Sequence, residues 1–220
     1  MSWLNFLKKE TPTMPDAPGS LQRLEIPLFP LGAVLFPGGV LSLKVFEQRY
    51  LDMAAVCMKN GTPFGVCLIA SGKEVVEKAG QKAVPHKVGT LAHIASGDMP
   101  QLGILMLEVR GGRRFRIVSQ DTRPDGLLCA SVDLLDEPVR QAVPQAQQGL
   151  LPLLQKVAGD LGPEKMPEPH AFDDAAWVGY RLTEVVPVQA LAKQKLLELE
   201  DPLSRLEILH TYLAQRKLVV

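Results

Sequence analysis

The hydrophobic pattern of this chain changes its period once. In the first part apolar and polar positions alternate, as in Leu24, Ile26 and Leu28, which is the period of a half-buried strand. The strands predicted by such alternation or by short apolar runs cover 24–28, 34–36, 41–45, 64–69, 89–95, 104–109, 114–117 and 127–135. Many short strands in sequence order predict a small barrel or a sandwich-like sheet.

Proline and glycine punctuate these strands. Pro27 and Pro30 cannot donate to a sheet ladder, so the first strand is predicted at an edge or a bulge. Turns are predicted at 37–39, which reads Pro-Gly-Gly, and also at 96–100 and 110–112.

One helix interrupts the strands. Phe46, Tyr50, Met53 and Cys57 follow one another at helical spacing and predict a single apolar face. Gly61 is suited to end this helix, because glycine readily adopts the left-handed conformation found at helix C-termini.

After residue 138 the apolar period becomes helical. Helices are predicted on the stripe from Leu150 to Leu161, on 178–185, on 191–199 and from Asp201 onward, with an acidic, proline-rich loop at 159–174. The predicted fold class is therefore α+β. The predicted parts are a flexible tail (1–20), a β-rich part with one helix (21–137) and a helical part (138–220).

The tail prediction depends on composition. Residues 8–20 include Pro12, Pro15, Pro18 and Gly19 and few apolar side chains, which is typical of mobile segments. Trp3, Phe6 and Leu7 lie at helical spacing, and docking of this short stretch on another surface is the alternative interpretation.

Charge and cysteine content narrow the classes of partner. Lys and Arg total 24, as do Asp and Glu, and a net charge of zero argues against nucleic acid or an anionic membrane as the main partner. Cys57, Cys67 and Cys129 are scattered in apolar surroundings, which favours buried thiols in a reducing compartment. No run approaches the ~20 apolar residues of a bilayer span. A cytoplasmic location is predicted.

The sequence contains none of the familiar catalytic motifs. Its Gly72-Lys73 pair is followed by Glu74, so no phosphate-binding P-loop is present. Neither a H-E-x-x-H zinc motif nor a G-x-S-x-G nucleophile elbow occurs. We therefore predict no catalytic residue, no metal site and no cofactor.

Arg114 and Arg116 form the most conspicuous polar pattern. Period 2 places them on one face of a strand and Phe115 on the other. Two neighbouring arginines are suited to gripping carboxylates or phosphates. The alternative is a solvated sheet face whose arginines pair with acids such as Asp133 or Glu108.

Several separated blocks of the chain carry a family resemblance. Residues 26–50, which read IPLFPLGAVLFPGGVLSLKVFEQRY, resemble the opening of the Lon protease N-terminal, substrate-binding domain. The later blocks that are similar to this family, in the same order, are Phe64-Gly65-Val66, Val88-Gly89-Thr90-Leu91-Ala92, Gly112-Arg113-Arg114-Phe115-Arg116-Ile117, and Lys193-Gln194-Lys195-Leu196-Leu197-Glu198 with Arg205-Leu206. The resemblance extends over about 24–215.

This resemblance implies a PUA-like antiparallel β-barrel followed by a C-terminal helical bundle, and a role in recognising polypeptides. Lon proteases also contain an ATPase with a P-loop and a Ser-Lys protease domain, neither of which fits here. We therefore expect a free-standing member of the family that lacks both.

The predicted function is a non-catalytic protein- or peptide-binding module, which includes an adaptor that hands clients to a separate protease or chaperone. Phe36, Pro37, Arg114 and Arg116 are the candidate partner-binding residues. An RNA-binding PUA-like module is the alternative, since such barrels also occur in RNA-recognition proteins. A small-molecule enzyme with a pocket where the two parts meet is a third hypothesis.

Overall fold

The computed structural model of the chain describes residues 22–72 and 83–219. The predicted flexible tail at 1–20 lies outside these residues. The strands are β1 (Arg23–Leu31), β2 (Val40–Val45), β3 (Phe64–Ser71), β4 (Val84–Pro85), β5 (Val88–Gln101), β6 (Ile104–Thr122) and β7 (Leu128–Leu134). The helices are α1 (Gln48–Asn60), α2 (Leu150–Lys165), α3 (Ala175–Val185), α4 (Ala190–Glu198) and α5 (Pro202–Gln215).

Five of the strands form a ring. The hydrogen-bonded order is β1-β7-β6-β5-β3, and β3 returns to β1 through a parallel pairing. The other pairings are antiparallel, with β2 added on β6 and β4 on β3. The predicted α+β class is confirmed, since the strands precede α2–α5. The division at 137/138 stays a prediction, and this position lies between β7 and α2.

The first strand closes the ring by changing partners. Residues 23–27 of β1 pair with β7, and residues 28–31 pair with β3. Among the described strands, each half of β1 is therefore hydrogen-bonded to a neighbouring strand on one side only. Such an edge position tolerates proline, which has no backbone N–H to donate. Pro27 stands at the change of partner and Pro30 in the second half.

Two of the predicted turns are wrong, because the chain continues through them as strand. Residues 96–100 belong to β5, and the hairpin turns instead at Leu102-Gly103, where Gly103 has φ of +81°. Residues 110–112 belong to β6. The predicted strand at 34–36 is also wrong, since this segment is irregular, although Leu35 and Phe36 are buried.

Gly111 is needed for a close backbone approach and not for a turn. Its N–H donates to the carbonyl of Gly39 (2.8 Å), and its own carbonyl accepts from the N–H of Gly38 (2.7 Å). A Cβ on Gly111 would lie 2.0 Å from the carbonyl oxygen of Phe36. The turn at 37–39 is thereby fixed against β6, and Gly38 adopts the positive φ expected of it, +72°.

The early helix is confirmed, with a later start. It begins at Gln48 and buries Tyr50, Met53 and Cys57 in the barrel core, while Phe46 precedes it and is 49% exposed. Gly61 ends it with φ of +64°, as the sequence predicted.

The helical part has its own core around Leu154, Leu182 and Leu206. The predicted loop at 159–174 is wrong in its first half, because α2 runs to Lys165 across a kink at Gly162. The predicted start of the last helix is confirmed: the Asp201 carboxylate accepts hydrogen bonds from the backbone N–H groups of Leu203 and Ser204.

Candidate functional site

Arg114 ties the barrel to the helical part. Its guanidinium donates from Nη1 to the carbonyls of Leu197 (2.8 Å) and Leu199 (2.9 Å), at the end of α4. The side chain is buried, with Arg114 only 3% exposed. Its predicted role as a surface contact for a partner is therefore wrong. Arg116 remains accessible, with its Nη2 3.8 Å from Glu200 Oε1 and its side chain 53% exposed.

Of the two acids proposed as alternative partners of these arginines, Asp133 is engaged by another arginine, and Glu108 lies where β6 pairs with β2. Asp133 accepts from Arg23 at 2.8 Å, and this ion pair lowers the pKa of the Asp133 carboxyl. Glu108 lies opposite Ser42 in the pairing of β2 with β6.

Phe36 is also unavailable to a partner. It is fully buried, with its ring centroid 5.9 Å from that of Tyr180 in α3. Pro37 is partly exposed, and its carbonyl accepts a 2.7 Å hydrogen bond from Nη2 of Arg181. The candidates Pro37 and Arg116 therefore stay predictions, whereas Phe36 and Arg114 are structural residues.

A groove runs along the junction of the barrel with the helices, with a volume of about 650 Å³. We call it the seam groove. Val34 and Leu41 contribute from the barrel side, while Val157, Leu161 and Leu218 contribute from the helical side. Leu161 and Leu218 are 41% and 53% exposed. The walls thus present apolar side chains to solvent, a feature that marks interaction sites more often than inert surface.

One largely buried carboxyl group, with its side chain 23% exposed, lies in this groove. The Glu184 side chain approaches Arg181, with Oε1 3.1 Å from Nη2, and its backbone carbonyl accepts from Lys193 Nζ at 2.6 Å. Burial raises the pKa of Glu184 to about 7, against the opposing effect of Arg181 and Lys193. Burial likewise lowers the pKa of Arg181.

The barrel approaches Glu184 at a glycine. A Cβ on Gly39 would lie 2.0 Å from Glu184 Oε1, so any larger residue here would displace the carboxylate from its present position. Sequence reasoning missed Glu184, whose only signal was a carboxylate in the stretch 182–188, where every other residue except Thr183 is apolar.

Cys57 and Cys67 are packed in the hydrophobic clusters of the β-rich part. Burial raises the pKa of the Cys57 and Cys67 thiols, which keeps both protonated and weakly nucleophilic. Within residues 22–72 and 83–219, no group of three His, Cys, Asp or Glu side chains is placed to hold a metal ion. No helix in the same ranges combines the length and the apolar character of a membrane span.

A family model described as the ATP-dependent protease La (LON) substrate-binding domain matches residues 25–215. Among curated proteins, the Lon protease of Escherichia coli strain K12 is 26% identical over 203 residues, and that of Erwinia amylovora is 27% identical over 204. Each alignment covers 87% of this chain but 25% of the relative, so the chain spans about a quarter of these proteases.

Two solved structures are similar over nearly the whole described fold. A Lon N-terminal domain protein from Xanthomonas campestris has a TM-score of 0.69 and 33% identity, covering 86% of this chain and 98% of its own. The N-terminal domain of the Mycobacterium avium complex Lon protease has a TM-score of 0.59 at 17% identity, covering 87% and 98%, and supports the fold alone. These matches give no support to the RNA-binding alternative.

Proposed function

Because the chain belongs to the family of the ATP-dependent protease La (LON) substrate-binding domain, we propose that it binds polypeptide segments in the seam groove without acting on them chemically. The observation that carries this proposal is the apolar lining of a groove of about 650 Å³ open to solvent. This volume lies within the range of natural ligand sites. It suits a few apolar side chains of an unfolded segment.

The polar groups of the groove would complement a bound backbone. Glu184 and Lys193 line it, and an extended peptide brings N–H donors and C=O acceptors that need partners once water is removed. Such contacts are independent of peptide sequence, so affinity would depend on apolar content more than on a motif.

We further propose that the module presents clients to a separate protease or chaperone in the cytoplasm. The support for this role is the family itself, whose curated relatives are Lon proteases. Three cysteines without disulfide partners fit a reducing compartment.

The proposal is tested with a permanently unfolded client, reduced and carboxymethylated α-lactalbumin carrying a fluorophore. Fluorescence anisotropy compares the wild-type chain with Leu161→Asp and Leu218→Asp. Each replaced leucine removes about 1.5 to 3 kcal/mol of apolar contact, so we expect about 10-fold to 100-fold weaker binding. The matched control is Leu102→Asp, at a position 93% exposed and outside the groove.

Several outcomes contradict the proposal. Equal affinity in Leu161→Asp and wild type would exclude the seam groove, and so would an equal loss in Leu102→Asp. Shortening of the client during incubation, seen by mass spectrometry, would contradict a non-catalytic role. Salt-sensitive binding of a structured RNA in place of the client would restore the RNA-binding hypothesis.

A further inference from the structure

A second apolar groove follows the hairpin formed by α4 and α5. Most of the residues that line it do not line the seam groove. Its volume is about 540 Å³, and we call it the hairpin groove. Side chains that line it include Val188, Ala192, Leu199, Ile208 and Tyr212. Ile208 is 49% exposed although it is large and apolar. The charged side chains of the lining are Lys195 and Glu198.

We propose that residues 3–9 of the same chain occupy the hairpin groove. This stretch reads Trp-Leu-Asn-Phe-Leu-Lys-Lys, four large apolar side chains within five residues followed by two cations. An apolar segment with helical spacing and an aromatic anchor matches an apolar groove between helices. The proposal concerns an occupant from this chain and does not depend on client binding in the seam groove.

The described chain begins close to this groove. The carbonyl of Gln22 accepts from the N–H of Leu134 (3.0 Å), and the next residue, Leu135, donates to the carbonyl of Arg114 (2.9 Å). Arg114 in turn donates to Leu199, which lines the groove. Gln22 is therefore separated from the groove by about two strand spacings, ~10 Å, and one arginine side chain.

The intervening chain has a suitable length. Residues 10–21 number 12, and a random-coil chain of that length would have a root-mean-square extension of about 19 Å. A linker whose extension matches the distance to be spanned gives an effective concentration in the millimolar range. Even weak intrinsic affinity then populates the bound arrangement.

The order of charges agrees with the direction of approach. Lys8 and Lys9 lie between the apolar stretch and the linker, so they would arrive first, at the end of the groove next to Gln22. Glu198 directly precedes Leu199, which Arg114 contacts, but its carboxylate already pairs with Lys195 at 3.0 Å. The more accessible acid for the two lysines is Glu200, whose side chain is 76% exposed. The apolar residues would then extend toward Val188 and Tyr212, whose hydroxyl donates to the carbonyl of Pro187.

The test uses the full chain with Trp177→Phe, which leaves Trp3 as the sole tryptophan. Emission wavelength and acrylamide quenching report whether Trp3 is shielded from water. We expect shielded emission, and quenching that is about twofold stronger once Ile208→Asp blocks the groove, as for a segment bound more than half of the time. Ala192→Glu, also at an exposed position of the lining, provides a second blocking variant.

Controls separate the groove from general effects. Leu102→Asp places the same charge at an exposed leucine elsewhere and should leave Trp3 shielded. Lys8→Glu with Lys9→Glu should expose Trp3, and adding Glu200→Lys should restore its shielding. Circular dichroism verifies that every variant is folded.

Three results overturn the proposal. One is a water-like Trp3 in the chain without further substitutions. Another is a shielded Trp3 that ignores both Ile208→Asp and Ala192→Glu, because the segment would then pack elsewhere. The third is shielding that disappears on dilution along with a dimer in sedimentation velocity, because the occupant would then belong to a second copy.

Discussion

Replacing Glu184 by glutamine should change how the stability of this protein depends on pH. The carboxyl lies in the seam groove, with Oε1 3.1 Å from Arg181, and its pKa is raised from 4.5 to about 7 by burial. In the unfolded chain the same group ionises near its ordinary value. Between these two values the folded state therefore holds one proton more than the unfolded state.

The sign follows from proton linkage. Where the folded state binds more protons, the free energy of unfolding falls as pH rises. The Glu184 contribution is fully present below about pH 4.5 and is lost by about pH 7. A difference between 4.5 and about 7 corresponds to about 3 kcal/mol. Glutamine has no proton to lose, so the Glu184→Gln variant lacks this decline.

Urea unfolding measures the effect directly. Titrations of both proteins between about pH 4 and pH 8 give the free energy of unfolding at each pH, and all other ionisable groups cancel in the difference between the two curves. With an m-value of about 2 to 3 kcal/mol per molar urea, the wild-type midpoint should fall by about 1 to 1.5 M relative to the variant. Glu200→Gln, at an exposed carboxylate, serves as the control and should track wild type. Parallel curves for wild type and Glu184→Gln would refute the reasoning.

Three further substitutions or reactions probe other parts of the molecule. Gly111→Ala should cost more than about 3 kcal/mol in thermal unfolding, because the new Cβ meets the Phe36 carbonyl oxygen at 2.0 Å; wild-type stability would contradict this contact. Arg114→Met should lower the free energy of urea unfolding by about 3 to 5 kcal/mol, since it removes two charged hydrogen bonds to backbone carbonyls, whereas Arg116→Met should change it by less than about 0.5 kcal/mol. In the folded protein, Ellman's reagent should modify the partly exposed Cys129 before the buried Cys67, and the opposite order in peptide mapping would contradict the assigned burial.

The two arginines show how far the sequence could lead. Alternation correctly placed Arg114 and Arg116 on one face of β6, because the pleat of a strand is a local property. Exposure is not local. Arg114 is buried because it binds the carbonyls of Leu197 and Leu199, more than 80 residues later in the chain. Within the described residues, Arg116 makes no such contact with α4, and its side chain is 53% exposed. No sequence pattern near Arg114 specifies which distant segment will pack on it.

The glycines show a second limit. The composition of a pair such as Gly111-Gly112 predicts a turn. In the structure the pair lies inside a strand, and Gly111 allows the backbone of the 37–39 turn to approach closely. Turn chemistry and close approach both require glycine, so residue type alone does not distinguish them. The seam groove could not be predicted from the sequence either, because its lining residues are distant in the chain and extend from Val34 to Leu218. The burial of Arg114 depends on distant segments in the same way.

The change of partner within β1 has a consequence for how this chain is made. Arg23 pairs with Asp133, so the first strand of the ring must wait for the synthesis of its last strand before the half at 23–27 can pair. Until then its residues 28–31 can pair only with β3, and the opposite side of the nascent sheet stays open. Contacts of such long sequence separation slow folding, and an open sheet edge invites pairing with other chains. Between the synthesis of β3 and that of β7 the ring therefore cannot close, and the half of β1 that later meets β7 has no strand to pair with.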